Sequence, residues 1–155
     1  MEHLPYDDDT AFTLADDAST VARIVRIVPL ERLKAERFDD WTALEVIGHV
    51  ADMAEVFAER VRRMVNEDHP ALPAVDQDAV ARERHNDEGD PMAFAKRIQA
   101  AHGEIVRLLF APANRDRRGL HGELGEIDAA FAGAYQARHA HEHVGDLAER
   151  FPPSA

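Results

Sequence analysis

The chain contains no cysteine, and only 6% of its residues are aromatic. The absence of cysteine excludes disulfides, iron–sulfur clusters, thiolate ligands and a cysteine nucleophile, so only nitrogen and oxygen donors remain for a metal ion. No apolar run approaches the roughly 18 residues of a transmembrane helix, and the acidic segment 1–9 lacks the basic and apolar regions of a signal peptide. These absences predict a soluble, cytoplasmic protein that does not enter a membrane.

Basic residues are also scarce, because 18 lysines and arginines stand against 30 aspartates and glutamates, for a formal charge of −12. A charge of this sign repels nucleic-acid phosphates and anionic lipid. We therefore expect a small-molecule substrate and no nucleic-acid partner. The 155 residues fit one domain covering 1–155, which is long enough to bury about two-thirds of its unfolded surface.

Apolar residues recur at helical spacing in four long segments, and no strand pattern or internal repeat is present. The expected start signals are Asp39 or Asp40 as the cap of the second helix, with Trp41 in its first turn, and Asp90 with Pro91 for the third. The sequence therefore predicts an all-α fold, a four-helix bundle with long connections. The predicted helices cover about residues 10–28, 41–65, 91–111 and 126–150.

Two connections are long enough to have structure of their own. Residues 66–90 bear prolines and are predicted to include a short helix from Asp76 or Asp78 to about Arg84, since long structureless loops are uncommon in compact domains. The segment 115–125 holds three glycines, which favour an ordered turn over a helix.

Three of the nine histidines fall within residues 139–143, and His139 and His143 stand four apart on the last helix. Residues at that spacing share one helix face, so two imidazoles can bind one metal ion. Catalytic zinc sites usually take three protein ligands, and the best third candidate is His49, at the margin of the second helix's apolar face. The alternatives remain a chance pairing of histidines, and for His49 a core histidine hydrogen-bonded to a neighbour.

For other residues near this candidate site, the sequence leaves two possible roles open. His121 is either a fourth ligand or substrate contact, or a solvated loop residue, and Tyr135 either hydrogen-bonds a substrate or fills core. His141 points away from the pair and is expected at the surface or an interface, and the charged run 59–63 is expected to be a solvated helix face. Four carboxylates either orient the ligand imidazoles or lie exposed: Glu45, Asp52, Glu142 and Asp146.

Three motifs in a fixed order give the chain a family resemblance across about residues 10–150. They are the tryptophan and histidine of segment 41–52, the proline-bearing connection 70–78, and the glycine-rich turn 118–125 followed fourteen residues later by the His139–His143 pair. In this order and at these distances the chain resembles the DinB/YfiT-like family of metal-dependent four-helix-bundle proteins.

The resemblance implies an up-down-down-up bundle, often paired as a homodimer, in which His49, His139 and His143 bind a divalent metal ion, with zinc or nickel expected. Some relatives are transferases that attach a low-molecular-weight thiol, such as bacillithiol or mycothiol, to an electrophile. This implies a thiol S-transferase, with a metal-dependent hydrolase on the same site as the alternative. A third possibility, from another class, is a stress-associated bundle that binds metal or ligand without turnover. No residue is identifiable as a dedicated general base.

Overall fold

The structure, a computed structural model, describes residues 4–153. Four long helices, α1, α3, α5 and α7, form the body of the molecule, and shorter elements occupy the connections. Within the described residues the helices are α1 (Asp8–Ile27), α2 (Leu30–Ala35), α3 (Ala43–Asn66), α4 (Gln77–Glu83), α5 (Pro91–Leu109), α6 (Pro112–Arg115) and α7 (Ala129–Arg150). The strands are β1 (Arg37–Phe38), β2 (Trp41–Thr42), β3 (Ala71–Leu72), β4 (Arg118–His121) and β5 (Gly125–Asp128).

The four long helices form an up-down-down-up bundle. Helices α1 and α3 each pack against both α5 and α7, so α1 and α3 lie on a diagonal. Helix α3 runs antiparallel to α7, because His49 meets His139 near one end while Phe57 stacks on Tyr135 further along. Helix α1 runs parallel to α7, because Asp17 contacts His141 and, further along both helices, Arg23 contacts Phe151 just after α7. Helix α3 runs parallel to α5, because Asp52 contacts Arg97 and Arg62 contacts Glu104.

The start of α3 differs from the prediction. Asp39 and Asp40 do not cap this helix, and Trp41 lies in strand β2 rather than in the first helical turn. Asp39 instead takes a left-handed conformation, φ 53°, in the tight turn between β1 and β2. The cap is Thr42, whose side chain accepts from the Glu45 amide while the Glu45 carboxylate accepts from the Thr42 amide. This reciprocal pair is a capping box, and it satisfies two amides that the helix leaves free.

The expectation that the chain has no strands was wrong, because the connections contain short ones. Strands β1 and β2 pair antiparallel, and β3, β4 and β5 form a three-stranded sheet. In that sheet β3 pairs parallel with β4, with Ala71 opposite Leu120, and β4 pairs antiparallel with β5. Gly125, at φ 75°, is suited to the turn between β4 and β5, since glycine has no Cβ to clash there. The sheet therefore ties the two long connections together.

The other connecting elements are close to the predictions. The short helix expected from Asp76 or Asp78 to about Arg84 is α4, and the Asp76 side chain caps it. Helix α2 was not predicted. Helix α7 begins at Ala129, three residues after the predicted position 126, because Asp128 accepts from the Phe131 amide at 2.7 Å and caps the helix.

The interior consists of two apolar clusters that meet along α3. One contains Leu33, Leu44 and Phe151 near the end of the bundle where α3 begins, and the other contains Met64 and Ile127 at the opposite end. None of the helices within residues 4–153 has the length and apolar character needed to cross a membrane.

A buried polar network connects α3 to α5 and to the segment before α5. Asp52 is 3% exposed and accepts from the Arg97 guanidinium at 2.6 Å and from the Asn86 side-chain amide at 2.8 Å. Gly48 permits this contact, because a Cβ at that position would stand 2.8 Å from Cγ of Asn86. A buried charge that is paired and hydrogen-bonded avoids most of the cost of leaving water.

Candidate metal centre

The three histidines singled out in the sequence lie together in the structure. One nitrogen from each of His49, His139 and His143 can be chosen so that all lie within 4.8 Å of one another. The Nε2 atoms of His49 and His139 are 3.1 Å apart, and the three ring centroids are separated by 4.8 to 5.0 Å. Residues that are 90 positions apart in the chain are thus brought within coordinating reach of a common ion.

The fold explains this convergence. His139 and His143 are four residues apart on α7 and therefore share one face of it, and antiparallel packing of α3 on α7 brings the early part of α3 to the same level. The ring of Trp41 lies 4.7 Å from that of His49, and the ring of Tyr135 stacks at 6.3 Å from that of His139. These aromatic rings cover part of the cluster, in which His49 is only 2% exposed while His139 and His143 are half-buried.

All three imidazoles are neutral near pH 7. Burial, reinforced by repulsion from His139 and His143, lowers the pKa of His49 to about 3. Burial and the neighbouring His143 lower the pKa of His139 to about 4. The pKa of His143 is also lowered by burial, with Asp146 and Glu142 acting in the opposite direction. Neutral rings have a free lone pair, so protons do not compete with a metal ion for these nitrogens at neutral pH.

The cluster also suits a divalent metal ion by its geometry and donor type. Two nitrogens bound at about 2.0–2.1 Å in tetrahedral geometry stand roughly 3.3 Å apart, close to the 3.1 Å between the Nε2 atoms of His49 and His139. The buried Nδ1 atoms of these two rings have no hydrogen-bond partner among the described residues. Three imidazoles are a donor set that zinc and nickel accept. The residues present therefore fit the metal that the sequence predicted, although its binding remains a prediction.

The four carboxylates considered from the sequence do not hydrogen-bond the cluster within residues 4–153. Glu45 is engaged in the cap of α3, and Asp52 is held by Arg97 and Asn86. Glu142 and Asp146 act on His143 through their charge alone. The centre is therefore a set of neutral donors without a compensating negative charge in contact with it.

The remaining sequence candidates lie outside the cluster. His141 faces α1, where its Nδ1 lies 3.1 Å from a carboxylate oxygen of the buried Asp17. His121 is buried, and its Nδ1 accepts from the backbone amides of Glu123 and Leu124, each at 3.0 Å, so it shapes the β4–β5 turn and is not a fourth ligand. Tyr135 is half-buried between Phe57 and His139.

The prediction that segment 59–63 is a solvated helix face was wrong for Arg60, which is only 8% exposed. Its guanidinium lies 4.8 Å from the ring centroid of Phe57 and donates to the carbonyl of Pro73 at 3.1 Å. A signal was available in the sequence, because positions 49, 53, 56 and 60 step by four, three and four and so share one face of α3. Arg60 is thus on the same face of the helix as His49.

A cavity of about 170 Å³ adjoins the cluster on the side of Tyr135. Its walls come from α3, from α7 and from both long connections, and they carry both apolar and polar side chains. Met53 and Tyr135, each one turn from a histidine of the cluster, line the cavity. A small molecule in this space would therefore lie one helical turn from His49 and His139.

Comparison with known proteins agrees with this description. Residues 14–147 match the model of the DinB superfamily, and the chain, a helical bundle with a three-histidine cluster, belongs to that superfamily. The resemblance seen in the sequence and the predicted fold class are both confirmed. No curated protein matches the chain.

Two solved structures have the same fold. YfiT from Bacillus subtilis, described as a probable metal-dependent hydrolase with an unusual four-helix bundle topology, is 22% identical with a TM-score of 0.77, over 99% of this chain and 95% of YfiT. The mycothiol-dependent maleylpyruvate isomerase is 14% identical with a TM-score of 0.69, over 90% of this chain and 60% of the isomerase. At these identities the similarity establishes the fold.

Acid is expected to destabilise the metal-free protein. Burial lowers the pKa of His49, His139 and the core residue His102 below the ordinary value of 6.5, so the unfolded chain binds more protons than the folded one below that pH. The stability that these neutral rings contribute is complete above pH 6.5 and is lost as the pH falls towards 4. His49 alone contributes up to about 1.4 kcal/mol per pH unit in this range.

This expectation can be measured as the thermal midpoint of chelator-treated protein at pH 7, 6 and 5. The thermal midpoint should fall as the pH is lowered, and His49→Gln should reduce the slope of the midpoint against pH. His69→Gln is the control, since the His69 side chain is 49% exposed and should leave the slope unchanged. A midpoint that is constant over this range would show that these rings are not held neutral by the fold.

Proposed function

We propose that His49, His139 and His143 bind one divalent metal ion, zinc or nickel, and that the protein is a metal-dependent enzyme acting on a small-molecule substrate. The observation that carries the proposal is the approach of three neutral imidazoles, one buried and two half-buried, from two antiparallel helices to within 4.8 Å of one another. The descriptions of two structural relatives support it, because one is called a probable metal-dependent hydrolase and the other a mycothiol-dependent isomerase.

The ligand set favours activation of a nucleophile that needs no separate base. A divalent ion held by neutral donors acts as a Lewis acid that lowers the pKa of bound water to about 7 and stabilises a coordinated thiolate still more readily. No carboxylate contacts the three rings within the described residues, so the chain presents no general base there. Of these two nucleophiles, a thiol depends less than water on a separate general base. We therefore place a low-molecular-weight thiol of the bacillithiol or mycothiol type first, in an S-transferase reaction with an electrophile.

Other residues of the chain would position the reactants. Trp41 and Tyr135 flank the histidines and cover part of the centre, and reduced contact with water would strengthen electrostatic interactions there. The cavity one helical turn from the histidines, lined by apolar and polar side chains, would hold the substrate. The cavity lies between the helices and the two long connections. Enzyme pockets are commonly clefts between such elements, mostly apolar with a few polar groups that orient the substrate.

Hydrolysis is the second candidate, with water in place of the thiol at the same centre. It is favoured by the similarity to YfiT, which extends over 95% of that protein, whereas the isomerase is covered to only 60%. A bundle that binds metal or ligand without turnover is the third.

A paired assay separates these possibilities. Purified, untagged protein is stripped with a chelator, reloaded with zinc or nickel, and incubated with a panel of electrophiles in the presence or absence of a low-molecular-weight thiol. Metal-dependent loss of thiol supports the transferase, and metal-dependent product without thiol supports the hydrolase. Stoichiometric metal binding with no turnover of any substrate in either assay would support the binding protein and contradict the proposed catalysis.

Several expectations from the sequence remain predictions. They are the homodimer, the single domain over residues 1–155, the cytoplasmic location and the absence of nucleic-acid and membrane partners.

A further inference from the structure

Arg60 is a buried cation without an acidic partner. It is 8% exposed, and one guanidinium nitrogen, Nη2, donates to the carbonyl of Pro73 at 3.1 Å. Among residues 4–153 no carboxylate forms an ion pair with it, in contrast to Arg97, which lies on the neighbouring helix and is paired with Asp52 and Glu55. An arginine has five N–H donors and is charged at all physiological pH values, so a buried one usually has an anion nearby.

The side chain borders the cavity beside the metal centre. The lining combines the polar side chains of Arg60, Gln77, His121 and Glu123 with apolar and aromatic ones, including Phe57, Phe131 and Tyr135. The volume of about 170 Å³ suits a small molecule that has an apolar body and one polar end.

His121 adds a second donor to this lining. Its Nδ1 accepts from two backbone amides, so the ring proton must be on Nε2. The one carboxylate among the lining residues belongs to Glu123, which is an exposed residue. The buried polar side chains of the lining, Arg60 and His121, are therefore donors, while its one acidic group belongs to an exposed residue.

A continuous stack of rings joins this end of the cavity to the metal centre. The Arg60 guanidinium lies 4.8 Å from the ring centroid of Phe57, the Phe57 ring is 5.1 Å from that of Tyr135, and Tyr135 is 6.3 Å from His139. A molecule lying along this stack would have one end at the guanidinium and would extend towards the histidines.

We propose that the cavity is the substrate subsite and that Arg60 binds the carboxylate of an aryl or alkyl carboxylic acid, with the apolar part of the molecule directed towards the histidine cluster. A carboxylate matches the planar fork of a guanidinium, which can donate two parallel hydrogen bonds to it. A monoanion is favoured over a phosphate dianion, because a single buried positive charge balances only one negative charge. This inference rests on the proposed function only in calling the bound molecule a substrate.

The experiment uses phenylacetate as the probe and the full chain in both metal-free and zinc-loaded forms. Binding is measured by calorimetry and by amide chemical-shift changes, and phenylacetamide and phenyl phosphate serve as the neutral and dianionic comparisons. Arg60→Gln should weaken phenylacetate binding at least about tenfold, the usual effect of losing a charge-assisted hydrogen bond. Arg60→Lys should retain part of it. Arg62→Gln, two residues away and paired with Glu104 outside the cavity, is the control and should bind as the parent does.

A variant that fills the cavity provides a second test in case Arg60→Gln does not fold. Ala74→Trp alters an exposed residue of the cavity wall and should block phenylacetate binding while the circular dichroism spectrum stays that of the parent. Equal affinity for phenylacetate and phenylacetamide, tighter binding of phenyl phosphate, or binding that survives both variants would overturn the proposal. Binding to metal-free protein separates this question from the function of the histidines, because it requires no metal.

Discussion

Protein carrying His139→Ala is expected to lose its bound metal. His139 supplies one of three ligand nitrogens, and even the residues that only orient metal ligands typically contribute 10- to 100-fold to affinity. Removal of a ligand itself should therefore weaken binding at least about 100-fold, from roughly one ion per chain to less than a tenth after dialysis. His49→Ala and His143→Ala should behave alike, because all three rings lie within 4.8 Å of one another. Metal content is measured by mass spectrometry on untagged protein.

The matched control is His141→Ala on the same helix. His141 lies between two of the proposed ligands in sequence but faces Asp17 on α1, so its loss should leave the metal content unchanged. His121→Ala, which removes the acceptor of the β4–β5 turn, should also retain the ion. Equal metal content in the parent and all three ligand variants would show that the assignment of the site is wrong, whatever happens to activity.

Asp52→Ala is expected to lower the free energy of unfolding by about 3 kcal/mol, since it leaves the buried Asn86 amide without its acceptor and Arg97 with Glu55 alone. Asp52 is 3% exposed, and its carboxylate accepts from Arg97 and Asn86, so the variant removes one of the two acceptors of Arg97 and the acceptor of Asn86. For a chain of this length the thermal midpoint should fall by roughly 10 °C. The measurement is urea unfolding followed by circular dichroism, together with the thermal midpoint.

Glu104→Ala is the matched control for this effect, because it breaks the more exposed pair between α3 and α5, Arg62–Glu104. Ion pairs at the surface contribute about 0–1 kcal/mol, so its midpoint should change little. If the two variants were equally stable, the Asp52 network would have no special role in the fold. Metal content should persist in folded Asp52→Ala protein, since Asp52 contacts none of the three histidines.

The helices and the paired histidines were predictable because their signals are local. The four-residue spacing of His139 and His143 places both on one helix face wherever that helix packs. The selection of His49 needed more than spacing, since its approach to α7 depends on the antiparallel arrangement of two helices far apart in the chain. A helical wheel placed it at the edge of the apolar face, and the family resemblance supplied the rest.

The missed features depend mostly on contacts between distant segments. Strands of two to four residues have no periodicity to detect, and β3 exists because it pairs with β4 almost 50 residues later. Arg60 was assigned to the solvent from its charged neighbours, and it is buried because the connection through Pro73 folds over it. The cap of α3 was different, since Thr42 followed by Glu45 is a capping-box signature that could have been recognised from the sequence.

The pairing of β3 with β4 limits how the protein can be re-engineered. These strands belong to different connections, one between α3 and α5 and the other between α5 and α7, and each satisfies backbone groups of the other. A chimera that takes only one of these connections from a relative would leave its counterpart with unmatched amides and carbonyls. Grafts at this end of the molecule should therefore transfer both segments as a unit.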